Sequence, residues 1–455
     1  MNRLPFIFVL VAFALSACSG GGKSVIPTQS FQSGAARTRA ALERQPFAYS
    51  VNPKASYVGD LNFSNCATAP STLLCATPST IRRAYAFPNS LQGTGETIVI
   101  VDAFGSPTIQ NDLKTFDSKF HLPNPTLTVL KINNPPAFVP TDPNRVNWAI
   151  ETSLDVEWAH AAAPGANIVL VVAHDDGDDG IVQAEEAAIK RHLGSVLSLS
   201  FGAPEADIKN PAGNPFFQEA VQLFSLARAS SMTVIASAGD KGAGAGLGVP
   251  TAQFPASDPD VLAVGGTSLL LSPTGAYLGE NVWNDANACV APCILGADGA
   301  TGGAPSSIFP APSYQSGVTT STMRTTADVS YNASPNTGVV VYIGFASLVP
   351  GLGGNGLYAV GGTSQGTPQW AGIVAIVNQQ QNHVPLGFFN DKLYTIGTNN
   401  STLPLPALHD ILSGNNAFPG SNSPGFSAAT GYDYPTGWGS PNVSNFVSAV
   451  TGKGP

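Results

Sequence analysis

Four β-branched runs, at 97–102, 127–132, 167–173 and 195–200, are each followed by a stretch of helical periodicity, at 108–120, 148–162, 181–192 and 214–230. A fifth run, 233–237, closes the series. Near-continuous Val, Ile and Leu with no polar alternation is the signature of a strand buried on both faces, which a parallel sheet requires. Strand alternating with helix therefore predicts an α/β fold, a doubly wound parallel sheet flanked by helices. A helix start is read at Thr77-Pro78-Ser79-Thr80, and hairpin-like segments follow the run at 261–264. The acidic turn Asp175-Asp176-Gly177-Asp178-Asp179-Gly180 reads as a solvated loop before the helix at 181–192.

Late in the chain, Gly361-Gly362-Thr363-Ser364 precedes Pro368-Gln369-Trp370 and the apolar run 371–377. Proline suits the first turn of a helix, where its missing N–H has no intrahelical partner. Ser364 is thereby placed near the positive end of a helix, beside free N–H groups that favour developing negative charge. Taken alone, such a turn does no more than cap a core helix. Gly362-Thr363-Ser364-Gln365-Gly366 also fits the G-x-S-x-G elbow of an esterase. That reading needs an acid and a histidine after the serine, and His383 or His409 with Asp391 or Asp410 are its only nominees.

The chain has 455 residues, a net charge of −9 and only 11% charged residues. With no basic cluster, it is not expected to bind nucleic acid. Few carboxylates means little to protonate and little positive self-repulsion in acid, which suits a protein that meets low pH. Arg3 and the apolar run 4–15 have signal-peptide form, ending Leu15-Ser16-Ala17-Cys18. This resembles a bacterial lipobox, so lipidation of Cys18 and residence in the cell envelope (outer membrane or periplasm) or outside the cell are expected. Residues 19–77 read as a tether and an extension lying on the main domain, which runs 78–455. An even set of four further cysteines suggests two local disulfides, Cys66–Cys75 and Cys289–Cys293.

A serine nucleophile needs a base, and no His-Gly-Thr-His segment follows the first strand. Instead the helix read at 148–162 carries Glu151 and Asp155, spaced i and i+4 on one face among apolar residues. Two carboxyls held close share a proton and titrate as a pair. Glu151, oriented by Asp155, then accepts the serine proton in acid, where an imidazole is already charged. Asp102 at the end of the first strand, with His160 and Ser364, forms a rival set for a neutral-pH protease.

Glu151-x-x-x-Asp155, Ser237-Ala238-Gly239-Asp240 and Gly362-Thr363-Ser364-x-x-x-Pro368 stand in the order found in the sedolisins, the serine-carboxyl peptidases, which the chain resembles from about Pro78 onward. Further matching landmarks are Tyr85-Ala86-Phe87, Ser198-Leu199-Ser200-Phe201-Gly202 and the segment 309–315. The resemblance implies a subtilisin-like fold and an acid-acting endopeptidase that cuts proteins or peptides through an acyl-enzyme. It makes Ser364 the nucleophile, Glu151 the base and acid, Asp155 its partner, and Asp240 the donor to the oxyanion. Only a protonated carboxyl can fill that last role.

His409-Asp410-Ile411 and Ala429-Thr430-Gly431-Tyr432-Asp433 resemble the family's calcium loop. One Ca2+ is implied, held by the carboxylates of Asp410 and Asp433 and the carbonyls of Ile411, Ala429 and Gly431, all hard oxygen donors. Ala429 stands where the family often has glycine, a change that a carbonyl ligand tolerates. The segment between Cys18 and Pro78 is shorter than the folded pro-domain usual in the family. The expected state is a monomer. From another class of function, a catalytically silent lipoprotein that binds peptides in the same cleft is the alternative.

Overall fold

The computed structural model describes residues 75–272, 274–285, 299–418 and 422–455, together with the backbone pairing of three two- or three-residue strands between 45 and 59. Those strands are β1 (Gln45–Pro46), β2 (Tyr49–Ser50) and β3 (Tyr57–Gly59). The lipobox cysteine Cys18, and Cys66, Cys289 and Cys293, lie outside the described residues; Cys75 is disulfide-bonded. No helix among the described residues is long and apolar enough to cross a membrane.

The central sheet takes the β-branched runs as its strands: β4 (Thr97–Ala103), β5 (Leu127–Lys131), β6 (Asn167–Ala173), β7 (Val196–Leu199), then β9 (Thr233–Ser237), β11 (Leu262–Leu271), β12 (Tyr277–Val282) and β15 (Val329–Asn332). Between them in the chain, β8 (Phe201–Pro204) and β10 (Gln253–Phe254) pair with each other outside this sheet, as do β13 (Pro305–Pro310) and β14 (Met323–Thr325). The order across the sheet is β12-β11-β9-β7-β4-β6-β5, with β15 also on β11. Every neighbour pair is parallel except β11 with β12. Later, β16 (Val339–Ile343) and β17 (Gly356–Gly361) form a hairpin leading into the serine turn.

Eight helices complete the described body: α1 (Pro78–Ala84), α2 (Ile109–Phe120), α3 (Pro143–Ala162), α4 (Asp178–Lys190), α5 (Pro215–Ala229), α6 (Gly366–Gln380), α7 (Asn390–Asn399) and α8 (Val443–Thr451). Strand alternation divides the core in two. Ile98 and Ile100 belong to the cluster containing α3 and α6, while Val99 and Val101 belong to that containing α4 and α5. Two layers of helix on one sheet make the doubly wound architecture.

Two expectations are corrected. Helix α3 begins at Pro143, five residues earlier than the periodicity suggested, because Asp142 caps Asn144 N–H (3.1 Å) and Pro143 sits in the first turn. The acidic turn is no solvated loop. Asp178 and Asp179 open α4, where carboxylates complement the helix dipole, and Asp176 and Asp178 are buried.

Helices α3 and α6 approach closely at Gly372. A Cβ there would stand 2.5 Å from Ala162 Cβ and 3.4 Å from Ala159 O. Overpacking a tight core contact costs roughly 1–3 kcal/mol. Gly372→Val is therefore expected to lower stability by about that amount in denaturant unfolding; an unchanged midpoint contradicts the packing described.

Candidate active site

Helix α3 is buried along nearly its whole length, and Glu151, Thr152, Asp155 and Glu157 have no exposed surface. Carboxyls resist ionisation in such surroundings because the charged form loses its water. Burial holds the Asp155 carboxyl well above the usual range, and the neighbouring carboxyls of Asp102 and Glu151 add to the effect. Asp102, at the end of β4, is likewise raised by burial, with the Thr152 hydroxyl beside it pulling the other way. Three carboxyls from two elements thus share one buried site. The Ser200 hydroxyl works against this shift by favouring the ionised form of Asp155.

Ser200 is where the second element arrives. Gly362 at φ +108° lets the chain leave β17 and turn sharply, and residues Thr363–Gln365 form a short 3-10 turn packed against α3. Ser364 Oγ donates to the Ser200 carbonyl at 3.2 Å, and Ser364 has no exposed surface. Helix α6 starts at Gly366, so the serine lies at its positive end.

Asp240 follows β9 and reaches the same turn. Its Oδ1 accepts from Thr363 N–H (2.8 Å) and from the Thr363 hydroxyl (2.7 Å). Gly239 N–H donates to Thr363 Oγ1 at 3.2 Å. With Oδ1 so occupied, Oδ2 is buried and has no hydrogen-bond partner among the described residues. Burial pushes this carboxyl up to about 7, although Thr363 and Lys241 favour its ionised form. An acid that stays protonated through the acidic range, with one free oxygen, is equipped to donate a hydrogen bond.

The structure brings Ser364, Glu151, Asp155 and Asp240 together on adjoining elements, and adds Asp102 to the acids. It does not assemble the rival set. His160 lies nine residues beyond Glu151, half a rotation around the helix and about 13 Å along it. Its Nε2 stands 3.2 Å from Asp117 Oδ1 of α2, both side chains buried. The esterase's nominees are also engaged elsewhere: His383 Nδ1 meets Glu96 Oε1 at 2.8 Å, and His409 stacks on Tyr277 at 4.4 Å.

Sequence reading missed the company that Asp102 keeps, and the Glu157–Asp112–Asp117 group around His160. Each of these carboxyls lies far in sequence from a partner on another element. A polar residue at the carboxyl end of a parallel strand is the one signal that pointed to Asp102. Beside the first turns of α3 lies a cavity of about 420 Å³ lined by Pro143, Val146, Ile150, Val349, Pro350 and Leu352 among others.

In the tail, Gly431 N–H donates to Asp410 Oδ2 (2.9 Å) and Ala429 N–H to Asp433 Oδ2 (3.0 Å), folding 429–433 back on Asp410. Burial raises Asp433 to about 6, with the nearby Asp410 charge adding to it. No group of three or more His, Cys, Asp or Glu side chains suited to a metal gathers among the described residues. Two facing carboxylates supplemented by backbone carbonyls are a donor set that fits a hard cation.

Sequence comparison matches residues 148–401 to the subtilase family, Peptidase_S8. The chain belongs to the subtilase family. Kumamolisin of Bacillus sp. (strain MN-32) is 33% identical over 405 residues, which are 86% of this chain and 66% of that protein. Sedolisin of Pseudomonas sp. (strain 101) is 32% identical over 318 residues, 68% of this chain and 49% of that protein. The chain thus spans about half to two thirds of the length of these curated relatives. Among solved structures, Pseudomonas sedolisin (serine-carboxyl proteinase), complexed with two molecules of pseudo-iodotyrostatin, superposes with a TM-score of 0.71 at 27% identity. That match covers 85% of this chain and 100% of that one.

The buried acids make stability depend on pH. Asp102, Asp155, Asp240 and Asp258 all have carboxyls raised by burial, Asp240 and Asp258 to about 7. The folded protein therefore holds protons that the unfolded chain has released above about pH 4. The contribution is fully present below that value and is lost as pH rises through the folded values. The melting temperature is expected to fall as pH is raised from about 4 to about 8; a profile rising over that window contradicts these environments.

Proposed function

We propose that this protein is an acid-acting serine-carboxyl endopeptidase that cuts proteins or peptides through an acyl-enzyme on Ser364. The observation that carries the reading is that α3, with Glu151 and Asp155 buried beside Asp102, packs against the 363–365 turn that holds Ser364, with His160 committed to Asp117. The similarity to kumamolisin and sedolisin supports the same reading.

Ser364 Oγ attacks the substrate carbonyl and passes its proton to Glu151, which Asp155 orients. As negative charge grows on the carbonyl oxygen, the proton on Asp240 Oδ2 is positioned to meet it. Preorganised donors of this kind are worth roughly 10²–10³ in rate each. Glu151 returns the proton to the leaving amine, and water then hydrolyses the ester. Imidazole chemistry fails in acid because the base is charged, whereas a buried carboxyl pair exchanges protons there. The cavity beside α3 offers an apolar side chain of the substrate a place within a turn of Glu151.

Asp410 and Asp433, with the carbonyls of Ile411, Ala429 and Gly431, are read as holding one Ca2+, whose role is to tie the 429–433 loop to the body. Export, lipidation of Cys18, anchorage to the cell envelope, pairing of Cys66 with Cys75 and of Cys289 with Cys293, and a monomeric state complete the proposal.

The test is peptidase activity on a denatured protein from about pH 2.5 to about pH 8, comparing wild type, Glu151→Ala and Ser364→Ala. An acid optimum abolished by both changes is expected. Activity that rises towards neutral pH and survives Glu151→Ala moves the base to His160, and no activity at any pH favours the silent peptide-binding protein. For the cation, chelation is expected to lower the melting temperature of the wild type but not of Asp433→Ala; equal curves with and without chelator contradict the site.

A further inference from the structure

Asp240 stands beyond the end of β9, so the strand itself does not hold its main chain. A short strip, residues 300–303, does. Ala300 N–H donates to the Asp240 carbonyl (3.0 Å) and Gly302 N–H to the Gly239 carbonyl (2.6 Å). Gly242 N–H donates to the Ala300 carbonyl (2.8 Å). The approach is too close for a side chain on the strip: a Cβ at Gly302 would stand 1.9 Å from the Ala238 carbonyl oxygen.

The strip is held in turn from its other side. Thr301 N–H donates to the Trp283 carbonyl (3.0 Å), and Thr301 Oγ1 accepts from Gly266 N–H of β11 (2.7 Å). The buried carbonyls of Gly302 and Gly303 are met by one side chain from the C-terminal part of the chain. Asn416 Nδ2 donates to both, at 3.1 Å and 2.9 Å, while its Oδ1 accepts from Phe426 N–H at 2.8 Å. Its main-chain carbonyl accepts from Ala243 N–H (3.0 Å), three residues after Asp240. Asn416 has no exposed surface, and Asn284 fixes its neighbours by donating to the carbonyls of Asn415 (3.0 Å) and Ala417 (2.7 Å).

The chemistry of the place calls for an asparagine. Two carbonyls on one side need two donors, and an N–H on the other needs an acceptor, which fixes the orientation of the amide. A leucine would fill the volume and pair none of the three. Aspartic acid in its protonated form would supply one donor and one acceptor.

We propose that Asn416 is a positioning residue for Asp240, clamping the 300–303 strip and the 243 end of the loop together so that the Asp240 carboxyl stays aimed at the reacting carbonyl. The proposal rests on the peptidase reading above, in which Asp240 is the oxyanion donor. Asn416 meets neither substrate nor reacting atoms and acts only through the main chain around Asp240. A donor stabilises developing charge when it is in place beforehand, so a small displacement is felt in kcat and not in substrate binding.

The experiment measures kcat, KM and melting temperature with a peptide substrate in acid. It compares wild type, Asn416→Ala, Asp240→Ala, the double variant and Asn378→Ala. Asn378 serves as the control: it is equally buried, its side chain bonds to Ser195 and Leu386, and it lies about 18 Å along α6 from Gly366. Asn416→Ala is expected to lower kcat roughly 10-fold with KM nearly unchanged, a part of the about 10²–10³ lost with the donor itself. In the Asp240→Ala background it should lower kcat no further, because the group it positions is gone. Asn378→Ala should lower the melting temperature and leave kcat as it was. Should Asn416→Ala not fold, Asn416→Asp keeps the shape and one donor in acid, and a smaller loss in kcat, again absent without Asp240, is expected. Unchanged kcat in the Asn416 variants, or the same fold-loss with and without Asp240, overturns the proposal and spares the peptidase reading. Full activity in Asp240→Ala removes the donor role and this proposal with it, and an inactive wild type overturns the peptidase reading as well.

Discussion

Withholding water from carboxyls on α3 is the condition on which the rest of this molecule depends. Glu151 and Asp155 are acids of ordinary strength in solution, and Asp102 would be too. The proposed mechanism uses Glu151 and Asp155 as proton carriers because apolar packing on both helix layers leaves no solvent to stabilise their charges. The sheet supplies that packing: β4 brings Asp102 to the helix, and the contact of α3 with α6 seals the layer above. Burial of several acids is costly at neutral pH and cheap in acid, where they are neutral. Fold stability and catalysis are thereby tied to the same condition.

A second dependence is geometric. Asp240 fixes the serine turn through Thr363 with one oxygen, and its other oxygen is buried without a hydrogen-bond partner among the described residues. In the proposed mechanism the residue that positions the serine turn is thus also the one facing the charge that the reaction creates. Gly362 makes the turn possible, since few other residues adopt its φ of +108°. Asp102, Asp240 and Ser364 lie at the ends of regular elements, whereas Glu151 and Asp155 sit mid-helix on α3.

Much of this was legible in the sequence, for physical reasons. Buried parallel strands need long β-branched runs, so β4, β6 and β9 stood out with their bounds nearly right. Glu151 and Asp155 could be paired because a helix converts a spacing of four into adjacency. The start of α3 was hidden in a Pro/Asn-rich passage, although Asp142-Pro143 is itself a start signal. Asp102 was placed at the right spot but among the wrong partners, since only the fold brings β4 beside α3. Strands as short as β1 and β2 carry no periodicity at all; only tertiary pairing reveals them. The proposed calcium loop was read from a motif and not from its carboxylates, which number only two.

The central claim is that desolvation keeps site carboxyls protonated far into the range where such groups are normally ionised. Infrared titration of the folded protein from acid to neutral pH reads this directly through the absorption of protonated carboxyl groups. The account predicts a band that persists until about pH 7 and is diminished in Asp240→Asn. Complete loss of protonated carboxyl absorption by about pH 5, near the ordinary range, would contradict it.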